Sequence, residues 1–220
     1  EAEPDGVLLP VLERVLPSCG AHSAVFVHLM GAHWDYSRRV PSGYCPMQTG
    51  QTDGPKAYDS AIRYGDAIVT QMIRMAQAAG FDTVVYFSDH GEVPHGGHRH
   101  SPWHYAPEMV EIPFLIWLSP EYRDSHSGLI NRLQGARHRP YMTDDFFHTL
   151  IDLMGIQSSA LDPSRSLINA HFKIRPRRVI DATVPYAKEQ STCSPPRPRP
   201  SSWCKSSGEA GSVRLSKHCC

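Results

Sequence analysis

The stretch Val84-Val85-Tyr86-Phe87-Ser88-Asp89-His90-Gly91-Glu92 decides how this chain is read. Four apolar residues in succession, two of them β-branched, predict a strand buried on both faces. It runs directly into Ser-Asp-His-Gly-Glu, where the chain must leave the sheet. Ligands of open α/β sheets bind at the carboxyl ends of strands. A carboxylate beside an imidazole at such an end supplies two metal ligands, and Gly91 lets the backbone turn sharply before Glu92. Downstream follow His95, His98, His100 and His104, so five of the 13 histidines lie between His90 and His104. The competing reading is a solvated, His-rich surface loop.

The chain has 220 residues, 40% of them hydrophobic, which is enough for a core, and one folded domain is the default. With 22 basic and 22 acidic residues, bulk charge points to neither nucleic acid nor an anionic membrane surface. The balance is uneven, because from Tyr186 onward six Lys/Arg stand against Glu189 and Glu209. No apolar run reaches the roughly 18 residues that span a bilayer. The opening Glu1-Ala2-Glu3-Pro4-Asp5 lacks the pattern of a secretory leader. Of six cysteines, Cys193, Cys204, Cys219 and Cys220 crowd the tail, leaving Cys19 and Cys45 in the folded part. Those two can pair in an oxidising compartment, and spacing alone leaves the point open.

Outward from the central stretch, Gly6 to Leu16 predicts a short helix interrupted by Pro10 and ending before Pro17. Ala24-Val25-Phe26-Val27-His28-Leu29-Met30 predicts a second buried strand, emptying into Gly31-Ala32-His33-Trp34-Asp35-Tyr36. Ser42 to Gly54 reads as a loop. Lys56 to Ala79 is the longest helical pattern, with Tyr58, Ile62, Val69, Met72 and Ala76 near one face and Gly80 as the stop. Ile112 to Leu118 predicts a third strand. Thr143 is read as the cap of a helix whose stripe is Phe147, Leu150, Ile151 and Met154, ended by Gly155. Strands alternating with helices predict an α/β fold with a largely parallel sheet. Residues 1–185 form the domain. Residues 186–220, rich in Pro, Arg, Ser and Cys, read as a tail without the means to build a core, closer to out-of-frame translation than to an evolved linker.

Five pieces, in order, resemble the catalytic domain of bacterial phosphoethanolamine transferases, within the alkaline phosphatase and sulfatase superfamily. They are HLMGAHWDYSRRVP (His28 to Pro41), YDSAIRYGDAI (Tyr58 to Ile68), YFSDHGE (Tyr86 to Glu92), EIPFLIWLS (Glu111 to Ser119) and DPSRSLIN (Asp162 to Asn169). The resemblance implies an alkaline-phosphatase/sulfatase-like sheet, mostly parallel, with flanking helices. It also implies a zinc-dependent transfer of phosphoethanolamine from phosphatidylethanolamine to lipopolysaccharide, on lipid A or the core, at the periplasmic face of the inner membrane. A monomer is expected, held to the membrane by segments outside this sequence.

Carried over residue by residue, the resemblance makes Asp89 and His90 zinc ligands; the rival is Asp89 capping the turn with His90 packed beneath it. His33 takes the place of a histidine that contacts the phosphoryl group or a second metal. His98 falls where the last site histidine is expected, with His95 and His100 as near alternatives. His28, in strand register, is read as a core or supporting histidine. Glu92 either orients His90 or is a plain turn residue. Trp34 and Tyr36 are read as partly buried aromatics rather than walls of a lipid or sugar site. Cys193-Ser194-Pro195-Pro196-Arg197 fits a sulfatase CxPxR pattern, but it sits in the tail and is set aside as chance.

The family's threonine nucleophile and first metal glutamate belong upstream of the opening helix of this sequence. The 220 residues are therefore expected to be the later part of a catalytic domain, from a fragment or a broken gene, and inactive alone. The alternatives are a sulfatase or phosphoglycerol transferase of the same superfamily, and a catalytically dead domain that binds metal or a partner.

Overall fold

In a computed structural model the described residues are 3–42, 44, 54–94, 105–179 and 184–185. They form an α/β fold that divides into two units. The first comprises Glu1–Phe87, Glu92–His104 and Leu115–Ser125; the second comprises Ser88–Gly91, Tyr105–Phe114 and His126–Cys220.

In the first unit, a 3-10 turn Asp5–Leu8 leads into helix α1, Leu9–Val15, and a second 3-10 turn Leu16–Ser18. Pro10 does not interrupt the helix. It lies in the first turn, where the missing N–H would have no partner anyway. Helix α2, Pro55–Ala78, stops at Gly80, whose φ of +80° only glycine adopts without strain. There the Phe81 amide reaches back to the Ala76 carbonyl at 2.9 Å, closing the helix end.

The buried face of α2 is only partly the expected one. Ala76 is buried and Tyr58 and Met72 pack against the core as expected, but Ile62 is exposed, and Ala57, Ala61, Tyr64 and Ile68 are buried as well. The alanines let another chain segment approach closely: Tyr36 packs on Ala57 and Ala61, and Val40 packs on Tyr64 and Ile68. The segment from Gly31 to Val40 is thereby seated on α2. Gly6 presses against the same helix, its amide donating to the Tyr64 hydroxyl at 3.1 Å. A Cβ at Gly6 would lie 2.3 Å from that oxygen.

Strand β1, Thr83–Phe87, pairs with β2, Phe114–Leu118. Ser119, just past β2, donates its amide to the carbonyl of Asp82, just before β1, at 2.9 Å. The expected full burial of β1 is not met, since all five of its residues are half-buried. Short helix α3, Pro120–Ser125, follows β2. The strand expected at Ala24–Met30 is absent among the described residues. Phe26 is 80% exposed, and no backbone group from Ala24 to Leu29 bonds to a described residue. Apolar, β-branched residues favour a strand, but a strand also needs a neighbour to bond its N–H and C=O groups.

Burial within β1 raises the pKa of Tyr86, with the negative charges of Asp66 and Asp5 adding to the effect. The folded protein therefore favours the neutral phenol. This stability is fully present below the unfolded value near 10.0 and is lost as pH rises toward the folded one. Tyr86→Phe is expected to flatten the loss of denaturation midpoint between about pH 9 and 11. An unchanged slope would remove Tyr86 as the cause.

In the second unit, α4 (Ser127–Ala136) and α5 (Phe146–Leu153) accompany the two-residue strands β3 (Arg178–Val179) and β4 (Val184–Pro185), which pair antiparallel. Thr143 does not cap α5 with its side chain; it opens a 3-10 turn, Thr143–Asp145, ahead of the helix. Of the expected stripe Ile151 is buried, but Phe147 and Met154 are exposed, and His148, Thr149 and Leu153 are buried in their place.

The polar members of that face hold the 162–169 segment. Thr149 Oγ1 accepts the Leu167 amide at 2.9 Å, and His148 Nδ1 accepts the Asp162 amide at 3.1 Å. Asp152 accepts from Ser166 Oγ at 2.6 Å and from Asn169 Nδ2 at 2.9 Å. Asp145, 6% exposed, pairs with both Arg165 and Arg175. The Asp162 carboxyl, bonded by the Ser164 hydroxyl and amide, sits below its usual pKa.

Candidate functional site

The Ser88–Gly91 turn is built by its own short side chains. Ser88 Oγ donates to the His90 carbonyl at 2.7 Å, and Asp89 Oδ1 accepts the His90 amide at 3.0 Å. His90 Nδ1 lies 2.8 Å from the Gly91 carbonyl oxygen. A carbonyl only accepts, so Nδ1 carries the proton and the lone pair of the neutral ring is on Nε2. That Nε2 is 3.9 Å from Asp89 Oδ1, and the two side chains are 41% and 84% exposed.

This pair fits a divalent metal. Zinc binds imidazole and carboxylate at about 2.0–2.2 Å in tetrahedral geometry, which puts two donors roughly 3.3 Å apart. A small side-chain rotation closes 3.9 Å to that distance. A histidine whose other ring nitrogen is tied to a carbonyl has the tautomer and orientation that metal ligation uses. The rival reading is met in its first half, since Asp89 Oδ1 accepts the His90 amide, while the His90 side chain is 41% exposed. Among the described residues no third His, Cys, Asp or Glu joins the pair to form a three-donor group.

Gly91 is required for a reason other than the one read from sequence. Its amide donates to the Met109 carbonyl at 2.8 Å. A Cβ there would stand 2.0 Å from the Glu108 carbonyl oxygen and 2.6 Å from that of Glu111. The glycine is needed because another stretch of backbone crosses at contact distance.

His33 lies in the first unit and is exposed. Its Nδ1 is 2.6 Å from the Trp34 carbonyl oxygen, the same bond to the following carbonyl that His90 makes. Its proton therefore also sits on Nδ1. Tyr36 is fully buried against α2, its ring edge-on to Tyr58 at 5.2 Å, so it anchors the turn. Trp34 is exposed. His28, expected in the core or behind the site, is exposed instead, because the strand that would have covered it has no ladder among the described residues. The Glu92 carboxylate accepts the Val93 amide at 3.1 Å, a turn bond. Cys19 is a free thiol. Cys45, His98 and its alternatives His95 and His100, and residues 186–220 lie outside the described residues.

Sequence reading passed over Asp5 and Arg39. Both are buried and bonded to the backbone around His33. Nothing local distinguishes Asp5 from an ordinary acidic residue near a helix start, since its partners are 25 and 26 residues away.

The sequence profile of the sulfatase family matches residues 5–156. Over 191 residues the chain is 32% identical to phosphoethanolamine transferase EptC of Escherichia coli K12, covering 78% of this chain and 32% of that protein. Phosphoethanolamine transferase EptA of the same strain is 30% identical over 173 residues, covering 70% of this chain and 32% of that one. The chain thus spans about a third of the length of these relatives. The crystal structure of the C-terminal periplasmic domain of Escherichia coli EptC superposes with a TM-score of 0.71 at 28% identity, covering 82% of this chain and 55% of that one. The same domain in complex with Zn superposes with a TM-score of 0.70 at 28% identity, covering 83% and 56%.

Proposed function

The chain belongs to the sulfatase family, and from that premise we propose that it is the metal-holding part of a zinc-dependent phosphoethanolamine transferase. The donor is phosphatidylethanolamine, and the acceptor is lipopolysaccharide, on lipid A or the core. The place is the periplasmic face of the inner membrane. The observation that carries this reading is the Asp89–His90 pair, with Nε2 and Oδ1 3.9 Å apart and the ring held by the Gly91 carbonyl.

Asp89 and His90 would hold the zinc, with further donors coming from outside the described residues. Bound there, zinc would acidify a hydroxyl nucleophile and offset charge on a phosphoryl group. The chain's own work is to fix the ligands: Ser88 shapes the turn, Asp89 braces it through the His90 amide, and the Gly91 carbonyl sets the His90 tautomer. His33, with Nδ1–H committed to the Trp34 carbonyl, presents Nε2 to a phosphoryl group and donates to it once protonated. His98, outside the described residues, is assigned the corresponding role.

Titration calorimetry with zinc on the 220-residue chain tests this. Uptake of about one zinc is expected, weak because the described residues supply only two donors, and Asp89→Ala should lower affinity by at least tenfold. Equal uptake by both proteins would move the binding elsewhere, the His95–His104 stretch first. A catalytically dead binding domain would show the same zinc behaviour. It separates from the proposed reading if a chain extended to the full length of its relatives still releases no diacylglycerol from labelled phosphatidylethanolamine.

A further inference from the structure

Asp5 and Arg39 are buried charges, 8% and 9% exposed, and neither has an ion-pair partner among the described residues. Each spends its charge on backbone at one end of the same short turn. The Asp5 carboxylate accepts the Met30 amide on Oδ1 at 2.9 Å and the Gly31 amide on Oδ2 at 2.8 Å. Arg39 donates from Nε to the His33 carbonyl at 3.2 Å and from Nη2 to the Trp34 carbonyl at 3.3 Å. Its Nη1 is buried without a hydrogen-bond partner.

Burying an ion against neutral dipoles alone is expensive, and an apolar residue of similar volume is usually no worse for stability. Two such ions, of opposite sign, on the amide side and the carbonyl side of one turn call for another reason. Between them lies His33. The Trp34 carbonyl that receives Arg39 Nη2 also receives His33 Nδ1, using both of its lone pairs.

We propose that Asp5 and Arg39 are positioning residues for His33. Asp5 fixes where the turn begins, by holding two successive amides. Arg39 fixes where the Trp34 carbonyl points, and that carbonyl fixes the ring and keeps its proton on Nδ1. Nε2 is then the atom that carries the lone pair. Tyr36, packed on Ala57 and Ala61 between the two clamps, gives the turn a rigid floor on α2. The significance for catalysis rests on the phosphoryl-contacting reading of His33; the positioning itself does not.

The experiment is nitrogen-15 NMR of histidine-labelled chain, with His33 assigned by the peak lost in His33→Gln. In the parent, His33 should show a protonated Nδ1 and an unprotonated Nε2 at neutral pH. In Arg39→Met the ring should lose that preference and move to the Nε2–H form or a mixture, with the circular dichroism unchanged. In Asp5→Asn the Met30 and Gly31 amides should exchange with solvent at least tenfold faster. A parent already in the Nε2–H form, or a tautomer unmoved in a folded Arg39→Met, overturns the proposal. So does unfolding of both variants, which would make the pair a stability device. Adding inorganic phosphate to the parent separates the two readings. A silent His33 signal counts against its phosphoryl role, while the tautomer and exchange results still decide the positioning.

Discussion

Asp145→Ala is expected to destabilise the second unit by about 2–3 kcal/mol, a fall in thermal midpoint of roughly 5–10 °C for a chain of this size. Among the described residues Asp145 is the carboxylate that pairs with both Arg165 and Arg175, at 2.6 Å from Arg165 Nε and in direct contact with Arg175 Nη2. Removing one partner from a buried pair costs about 3–5 kcal/mol, because the other charge is left without compensation. The loss is smaller because the arginine side chains are 32% and 46% exposed and water takes over part of it. Asp145 also raises the pKa of Arg175, chiefly through their hydrogen bond. The damage should be felt in the 162–169 segment, since Arg165 reaches the Asp144 carbonyl as well. Thermal denaturation of the variant checks this. A midpoint within about 1 °C of the parent would mean that the pairs only decorate the surface.

Gly91→Ala is expected to be as damaging, by a different route, and to take zinc uptake with it. One added carbon at 2.0 Å from the Glu108 carbonyl oxygen cannot be accommodated by rotating a side chain, because the obstacle is backbone. The 88–91 turn must move away from Glu108–Glu111, and the amide bond from Gly91 to the Met109 carbonyl is then lost. Overpacking of this kind costs about 1–3 kcal/mol, and the full 3 kcal/mol is expected where two carbonyls are struck. Because the Gly91 carbonyl also holds His90 Nδ1, the displaced turn frees the ring to exchange tautomers. Scanning calorimetry and zinc titration on the same sample would check both effects. Parent-like zinc affinity would show that Asp89 and His90 do not need this turn conformation.

How much of this was legible in advance differs from element to element. Helix α2 was read to within a residue at both ends, because apolar periodicity and a left-handed glycine at the stop are local properties. Its packed face was read in part: Ala76, Tyr58 and Met72 pack as expected, while Ile62 is exposed. Ala57 and Ala61 carry weak hydrophobic signals, and their burial follows from Tyr36 landing on them. Helix α5 was likewise read in part: Ile151 is buried as expected, but His148, Thr149 and Asp152 look like a solvent face until the 162–169 segment is laid across them. The strand expected at 24–30 shows the limit from the other side. Val25, Phe26 and Val27 have the right propensity, but ladder bonds are made with distant residues that no window of sequence contains.

The Asp89–His90 pair at the end of β1 could be read from the sequence alone, because two adjacent residues after a strand must leave the sheet together. The same holds for family membership, carried by motifs of a few contiguous residues each. Tertiary structure alone decided why Gly91 is glycine and which charges brace the His33 turn. Each of these depends on a backbone carbonyl or amide being brought within 3 Å or so by the fold. For Asp5 and its partners that means across 25 residues or more of chain. Such contacts are strong because they are short, and invisible in sequence because the approach is set by packing of the intervening chain.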